Sequence, residues 1–206
     1  MNTKIKTIIF DLGGVLVDWN PEYVYRKIFK DNPDKVNWFL NTICTSEWNV
    51  AQDAGRSIEE ANQLKIAEFP EHETLIRAYY EQWPQMFSGA IKGTLSIFEA
   101  LKKSKNYRYY ALTNWSAETW PTALKLFPFL TTFQGVVVSG EEKTRKPFDA
   151  IYKILLERYQ IQAESAVFID DNYDNVVAAR KFGIHGIHFN SPEQLDKELK
   201  ALGIEY

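Results

Sequence analysis

Two aspartates side by side, Asp170 and Asp171, end an apolar run, Ala166-Val167-Phe168-Ile169. One aspartate there could serve as a helix N-cap. Two adjacent carboxylates repel each other, and a bound cation is the usual way to offset that repulsion. Hard oxygen ligands with no cysteine or histidine beside them suit Mg²⁺. A third aspartate, Asp11, ends another apolar run, Thr7-Ile8-Ile9-Phe10, just before Leu12-Gly13-Gly14. Thr113-Asn114 follows Tyr109-Tyr110-Ala111-Leu112. Its hydroxyl, amide and backbone N–H groups fit either a plain strand-to-helix turn or a phosphate cradle. Lys146 precedes Pro147, which reads as the first residue of a helix with Lys146 as its cap. A cation at that positive end is unfavourable by about 0.3–1 kcal/mol. The lysine therefore either swings into solvent or pairs with a phosphate and the acids.

These groups need elements that bring them together. Residues 7–10, 109–112, 135–138 and 166–169 are short apolar runs that read as buried strands, and 186–189 is a weaker fifth. Between them lie helical patterns. Leu95, Phe98 and Leu101 share one face over 94–101; Phe148, Ile151, Ile154 and Leu155 do so over 148–156; Val176, Ala179 and Phe182 do so over 175–182. Alternating strand and helix predict a parallel sheet with helices on both faces. Parallel strands deliver the acids, the hydroxyl and the amine to one sheet edge. The interval between the first two strands, roughly residues 19–93, is about 75 residues where a crossover needs a dozen or more. It shows little strand character. Helical runs cover 23–29, 36–43, 58–69 and 74–83, punctuated by Asn32-Pro33 and Pro70. We read it as a helical insertion above the carboxyl ends of the strands, where open sheets bind ligands.

Bulk properties exclude other classes. The 206 residues suit one domain carrying a smaller insertion, and 45% hydrophobic with 25% charged residues is ordinary for a globular protein. A formal net charge of −3 argues against a nucleic-acid binder that works by bulk electrostatics. The first apolar run is too short for a membrane span or a signal core, so a cytoplasmic location without membrane association is expected. The single cysteine, Cys44, cannot form an internal disulfide and reads as a small buried side chain. His72, His185 and His188 lack a metal-ligand pattern. Trp19 and Trp115 flank the first and second clusters, and either pack ordinarily or stack on a sugar face. Lys143 and Arg145 either raise the local potential for an anion or belong to a solvated loop.

In order, Asp11-Leu12-Gly13-Gly14-Val15-Leu16-Val17-Asp18, Leu112-Thr113-Asn114, Arg145-Lys146-Pro147 and Ile169-Asp170-Asp171-Asn172 resemble the four motifs of the haloacid dehalogenase (HAD) superfamily. The likeness spans roughly residues 4–18 and 93–190. The opening octapeptide, Lys-Pro followed by Ala150-Ile151-Tyr152, Asp174-Asn175, and Trp48 with Gly55-Arg56-Ser57 look like the subgroup containing α-D-glucose-1-phosphate phosphatase. The resemblance implies an α/β fold: a three-layer, Rossmann-like parallel-sheet core, residues 1–18 and 93–206, with a helical C1 cap inserted at 19–92.

It also implies a chemistry, phosphohydrolysis of a small phosphorylated metabolite such as a sugar phosphate. Asp11 would attack phosphorus and become an aspartyl-phosphate. Mg²⁺ would sit on Asp11, the Gly13 backbone carbonyl and Asp171. Asp170 would stand behind, orienting Lys146 or a water. Thr113 and Asn114 would hold phosphoryl oxygens, and Lys146 would offset negative charge. One position departs from the pattern: most phosphatases of the family carry a second aspartate two residues after the nucleophile as acid and base, and here Gly13 stands there. Asp18 is one conceivable substitute, though the hinge into the cap suits it better as a structural residue. Two alternatives remain. A 2-haloacid dehalogenase uses the same nucleophile on carbon without metal, but typically has Ser-Asn where this chain has Asp170-Asp171. A binding protein on the same fold is the other, with Gly13 as its support.

Overall fold

The computed structural model describes residues 4–206; residues 1–3 of the expected core segment 1–18 lie outside the described residues. The chain starts with β1 (Thr7–Phe10) and β2 (Val17–Trp19). It then enters a helical stretch: α1 (Glu22–Ile28), α2 (Pro33–Thr42), α3 (Ser46–Asp53), α4 (Ile58–Glu68) and α5 (Glu73–Glu81). It returns through β3 (Phe87–Ala90) to α6 (Lys92–Ser104), β4 (Arg108–Thr113), α7 (Trp120–Leu126), β5 (Val136–Val138) and α8 (Ser139–Glu142). α9 (Asp149–Arg158), β6 (Ala166–Asp170), α10 (Tyr173–Lys181), β7 (His185–His188) and α11 (Pro192–Ala201) complete it.

Five strands form one sheet in the order β5-β4-β1-β6-β7, every adjacent pair parallel. β1 lies in the centre and all four of its residues are buried, as its unbroken apolar run requires. Successive side chains point to opposite faces. Ile8 and Phe10 of β1, with Val167 and Ile169 of β6, join the core that includes Phe98, Phe133 and Leu199. Ile9, Phe168, Tyr110 and Leu112 join the other face with Ile151, Tyr152, Leu155 and Ala179. The structure is thus the expected α/β HAD fold: a parallel sheet between helical layers, with a helical insertion after its central strand.

Within the insertion, each helix start is written locally. Asn32 accepts from Lys35 N–H ahead of Pro33, Thr45 from Trp48 N–H, and Ser57 from Glu60 N–H. Tyr25, Phe39, Trp48 and Tyr79 pack as its aromatic centre, with Tyr25 and Phe39 ring centroids 4.5 Å apart.

Two features depart from the sequence reading. The insertion does have strand character at its base, where β2 pairs antiparallel with β3 and shifts register between Asp18 and Trp19. Two very short strands, one containing Ser88-Gly89, carry too little alternation to be seen in isolation. The second correction concerns Lys146. It does not cap a helix starting at Pro147: α9 begins at Asp149 with Phe148 as its flanking residue. The side chain is neither at a helix N-terminus nor in solvent but fully buried.

Candidate active site

The carboxyl ends of β1, β4 and β6 meet at one edge of the sheet, and the loop after β5 folds over them. Asp11 follows β1, Thr113 closes β4 and Asp170 closes β6. Lys146 Nζ lies 2.8 Å from Asp11 Oδ1 and 2.7 Å from Asp170 Oδ2. A buried ammonium needs such partners, because burial alone costs a charge far more than its pairing with one exposed group returns. Asp170 is held on its other side by Asn172 N–H at 2.8 Å and Asn175 Nδ2 at 3.0 Å. Its carboxylate is therefore fully committed.

Asp171 completes the cluster. Asp11, Asp170 and Asp171 each place a carboxylate oxygen within 4.8 Å of the others. One lysine faces three acids, so negative charge is in surplus. Burial, against Lys146 and with Asp170 and Asp171, pushes the Asp11 carboxyl up to about 8. Burial and then Asp170 push Asp171 up as well, while burial opposes and Asp11 and Asp170 together raise Lys146. The turn between Asp11 and β2 adds an acceptor. Among the described residues no backbone N–H takes the Gly13 carbonyl. Gly14 sits at φ +72°, and a Cβ there would lie 2.1 Å from Asp171 Oδ2. Only glycine lets this backbone approach the acid so closely.

Thr113 and Asn114 differ in what they have to spare. Buried Thr113 Oγ1 has no hydrogen-bond partner. The Asn114 amide is engaged at both ends, accepting from Lys146 N–H at 2.9 Å and donating to the Lys146 carbonyl at 3.1 Å. It fixes the lysine loop and keeps one amide hydrogen for another acceptor.

Above the cluster lies a chamber of about 320 Å³, lined by Asp11, Asp171 and Asn114 from the core and by Asn49, Asp53 and Tyr79 from the insertion. A smaller chamber of about 70 Å³ adjoins it, with Gly13, Trp19, Asp53, Tyr80 and Trp115 in its walls. The indole N–H groups of Trp19 and Trp115 are buried without partners.

Residues 8–189 match the family described as haloacid dehalogenase-like hydrolase. The chain belongs to that family. It is 26% identical over 205 residues to a sesquiterpene phosphatase of Aspergillus oryzae, covering 98% of both chains. It is also 26% identical to a phosphorylated carbohydrates phosphatase of Thermotoga maritima, over 89% of this chain and 84% of that one. Among solved structures, a HAD family enzyme of Bacteroides thetaiotaomicron, in complex with magnesium and inorganic phosphate, is similar in fold. Its TM-score is 0.66 at 24% identity, covering 91% of this chain and 95% of that one.

Within this HAD-like hydrolase, the structure gathers Asp11, Gly13, Thr113, Asn114, Lys146, Asp170 and Asp171 around one sheet edge. Trp19 and Trp115 border the chambers as well as packing. Asp18 lies in β2 and binds Tyr23 Oη at 2.8 Å and Ser88 Oγ, at the base of the insertion. Arg145 donates to the Lys146 carbonyl at 2.8 Å, whereas Lys143 is exposed. Asn49, Asp53 and Tyr80 were not seen in the sequence. A lone polar residue on a helix carries no mark of the cavity it will face.

Proposed function

We propose that this HAD-like hydrolase is a magnesium-dependent phosphatase of small phosphorylated metabolites, working through an aspartyl-phosphate on Asp11. The observation that carries the reading is the convergence of three carboxylates around a single buried lysine at the floor of a chamber. The donor set fits a hard divalent ion: surplus carboxylate charge, an untaken Gly13 carbonyl, and no sulfur or imidazole in the cluster. We assign Asp11, the Gly13 carbonyl and Asp171 as its protein ligands, with Asp170 behind them. When bound, the ion would neutralise the acids and the developing charge on the phosphoryl group.

The chain's own residues do the rest. Leu12 N–H, 2.7 Å from Asp11 Oδ1, and Lys146 Nζ fix the nucleophile's orientation. Asp170 holds Lys146 so that its charge faces both Asp11 and the incoming phosphate. The orphaned Thr113 hydroxyl and the remaining Asn114 hydrogen serve phosphoryl oxygens, a preorganised arrangement of the kind that dominates enzymic rate enhancement. Attack by the Asp11 carboxylate divides one hard displacement into two easier ones. Residues 19–92 act as a cap over a core of 1–18 and 93–206.

For the substrate we favour a hydroxylated metabolite such as a sugar phosphate. The subgroup resemblance to α-D-glucose-1-phosphate phosphatase and the Thermotoga relative support it. So do the polar Asn49 and Asp53 in the chamber walls and the unpartnered indole N–H groups of Trp19 and Trp115, the last of which a hydrocarbon chain would leave unsatisfied. A panel of phosphorylated metabolites and 4-nitrophenyl phosphate, assayed with and without Mg²⁺, tests the reading. Phosphate release should require Mg²⁺ and should vanish in Asp11→Asn. Halide release from a 2-haloacid without metal would instead mark a dehalogenase. Failure to turn over either class would mark a binding protein.

A further inference from the structure

A phosphate ester of an aliphatic alcohol leaves badly as an alkoxide, so its departing oxygen needs a proton in the transition state. The sheet edge supplies none. Lys146 and Asp170 are locked to each other at 2.7 Å, Asp11 is the attacking group, and Gly13 has no side chain. Among the described residues, Asp53 is the one carboxyl that lines both chambers, the one with Asp11 and the one with Gly13. It arrives from the opposite wall, as the last residue of α3 in the insertion. We propose that Asp53 is the proton carrier of the reaction: as the acid it protonates the leaving oxygen, and as the carboxylate it deprotonates the hydrolytic water. The proposal rests on the phosphatase reading above.

A chain of side chains holds Asp53 in place. Arg56 donates to Gln52 Oε1 at 2.6 Å, Gln52 Nε2 to Tyr80 Oη at 3.0 Å, and Tyr80 Oη to Asn49 Oδ1 at 2.9 Å. Asn49 Nδ2 reaches Asp53 Oδ2 at 3.4 Å. Donation along the chain thus ends on Asp53, which lines both chambers. Loops of the core lie close against the segment beside Asp53. Ile58 N–H donates to Glu118 Oε1 at 2.8 Å, and a Cβ on Gly55 would meet Lys143 Cγ at 3.1 Å.

Burial pushes Asp53 up to about 7, against the pull of Arg145, the Ser116 N–H and Lys146. The phenols of Tyr79 and Tyr80 also face it, and burial pushes both far above their ordinary value. An acid poised near neutrality serves equally as donor and acceptor, which the phenols cannot do.

The steps balance. The Asp11 carboxylate forms a bond to phosphorus as the ester P–O bond breaks; its electron pair goes to the leaving oxygen, which takes the Asp53 proton. Water then bonds to phosphorus as the Asp11 O–P bond breaks, and its proton returns to Asp53. Phosphate is released with both aspartates restored.

Rapid-quench measurement of the phosphorylation step, on phenyl phosphate and 4-nitrophenyl phosphate with Mg²⁺, tests this. Nitrophenolate is a good leaving group that needs little help. Asp53→Asn should slow phenyl phosphate by about 10²-fold or more and 4-nitrophenyl phosphate by less than about threefold. The second substrate should then stall at the aspartyl-phosphate and show a nitrophenolate burst larger than wild type. Equal losses on both substrates, or no loss, would overturn the proposal. Should Asp53→Asn fail to fold, Asp53→Ser, which also lacks the proton, carries the test on the same two substrates with the same outcomes. A wild-type protein with no Mg²⁺-dependent release would overturn the phosphatase reading itself, a result recognisable before any variant is made.

Discussion

At the scale of single residues, Gly14 shows how tightly the acids are placed. Its φ of +72° is strained for any residue with a Cβ, at roughly 1–2 kcal/mol. The larger effect is steric, because a methyl group there overlaps the Asp171 carboxylate. Gly14→Ala should therefore displace Asp171 and weaken Mg²⁺ binding by about tenfold or more, in line with losses seen when groups supporting a metal site are disturbed. The fold should survive with modest destabilisation. Titration of Mg²⁺ against activity or calorimetry would check this, and unchanged affinity would show that Asp171 does not hold the ion. Lys146 teaches a related lesson. Its local sequence reads as a misplaced helix cap that either swings into solvent or pairs with the acids, and only the sheet, by bringing Asp11 and Asp170 to it, decides between the two.

Elements were legible to the degree that their pattern is local. β1 coincides with the predicted 7–10, and β4, β5, β6 and β7 each fall within about a residue of their apolar runs, as boundary scatter allows. α6, α9 and α10 follow the 3.6-residue spacing of buried positions. What escaped lacks such a signal. α3 carries buried Trp48 and Gln52, so its inner face is half polar, and the residues it offers to the chamber are polar too. β2 and β3 are three and four residues long, too short for a pattern of their own, and are held by pairing with each other and by the long-range packing of Val17 and Phe87. Packing between elements was also invisible. Phe98 of α6 stacks on Phe133 at 4.5 Å and meets the Phe10 ring of β1 edge-on at 5.6 Å. It thereby docks α6 on the strand that carries Asp11. Phe98→Ala should cost about 3–5 kcal/mol, the range for emptying a buried aromatic site. Urea unfolding should show a lower midpoint at unchanged slope; a loss under about 1 kcal/mol would mean that α6 is held elsewhere.

Across the whole molecule, the site ties together parts of the chain that are far apart in sequence, Asp11 and Gly13 near one end and Asp170-Asp171 beyond residue 165. The fold concentrates three acids around one ammonium and leaves the surplus uncompensated. In the unfolded chain Asp11 leaves the Asp170-Asp171 pair, all three carboxylates are hydrated, and their repulsion weakens. The apo protein therefore carries a stability cost at the site that a divalent ion would remove. An ion that binds only the folded state stabilises it by about 2.7 kcal/mol at one hundred times its dissociation constant. For a chain of this length that corresponds to a rise in Tm of about 5–10 °C. Asp171→Asn should act in opposite directions in the two states. Without Mg²⁺ it relieves repulsion from Asp170 and should raise Tm, consistent with burial and Asp170 both disfavouring the Asp171 charge. With Mg²⁺ it removes a ligand and should abolish most of the metal-induced rise. Thermal melts of both proteins, with EDTA and with saturating Mg²⁺, read the two effects separately. A mutant that keeps the full Mg²⁺ shift would place the ion elsewhere, and one that melts lower in EDTA would show that the acid cluster is not strained by its own charge.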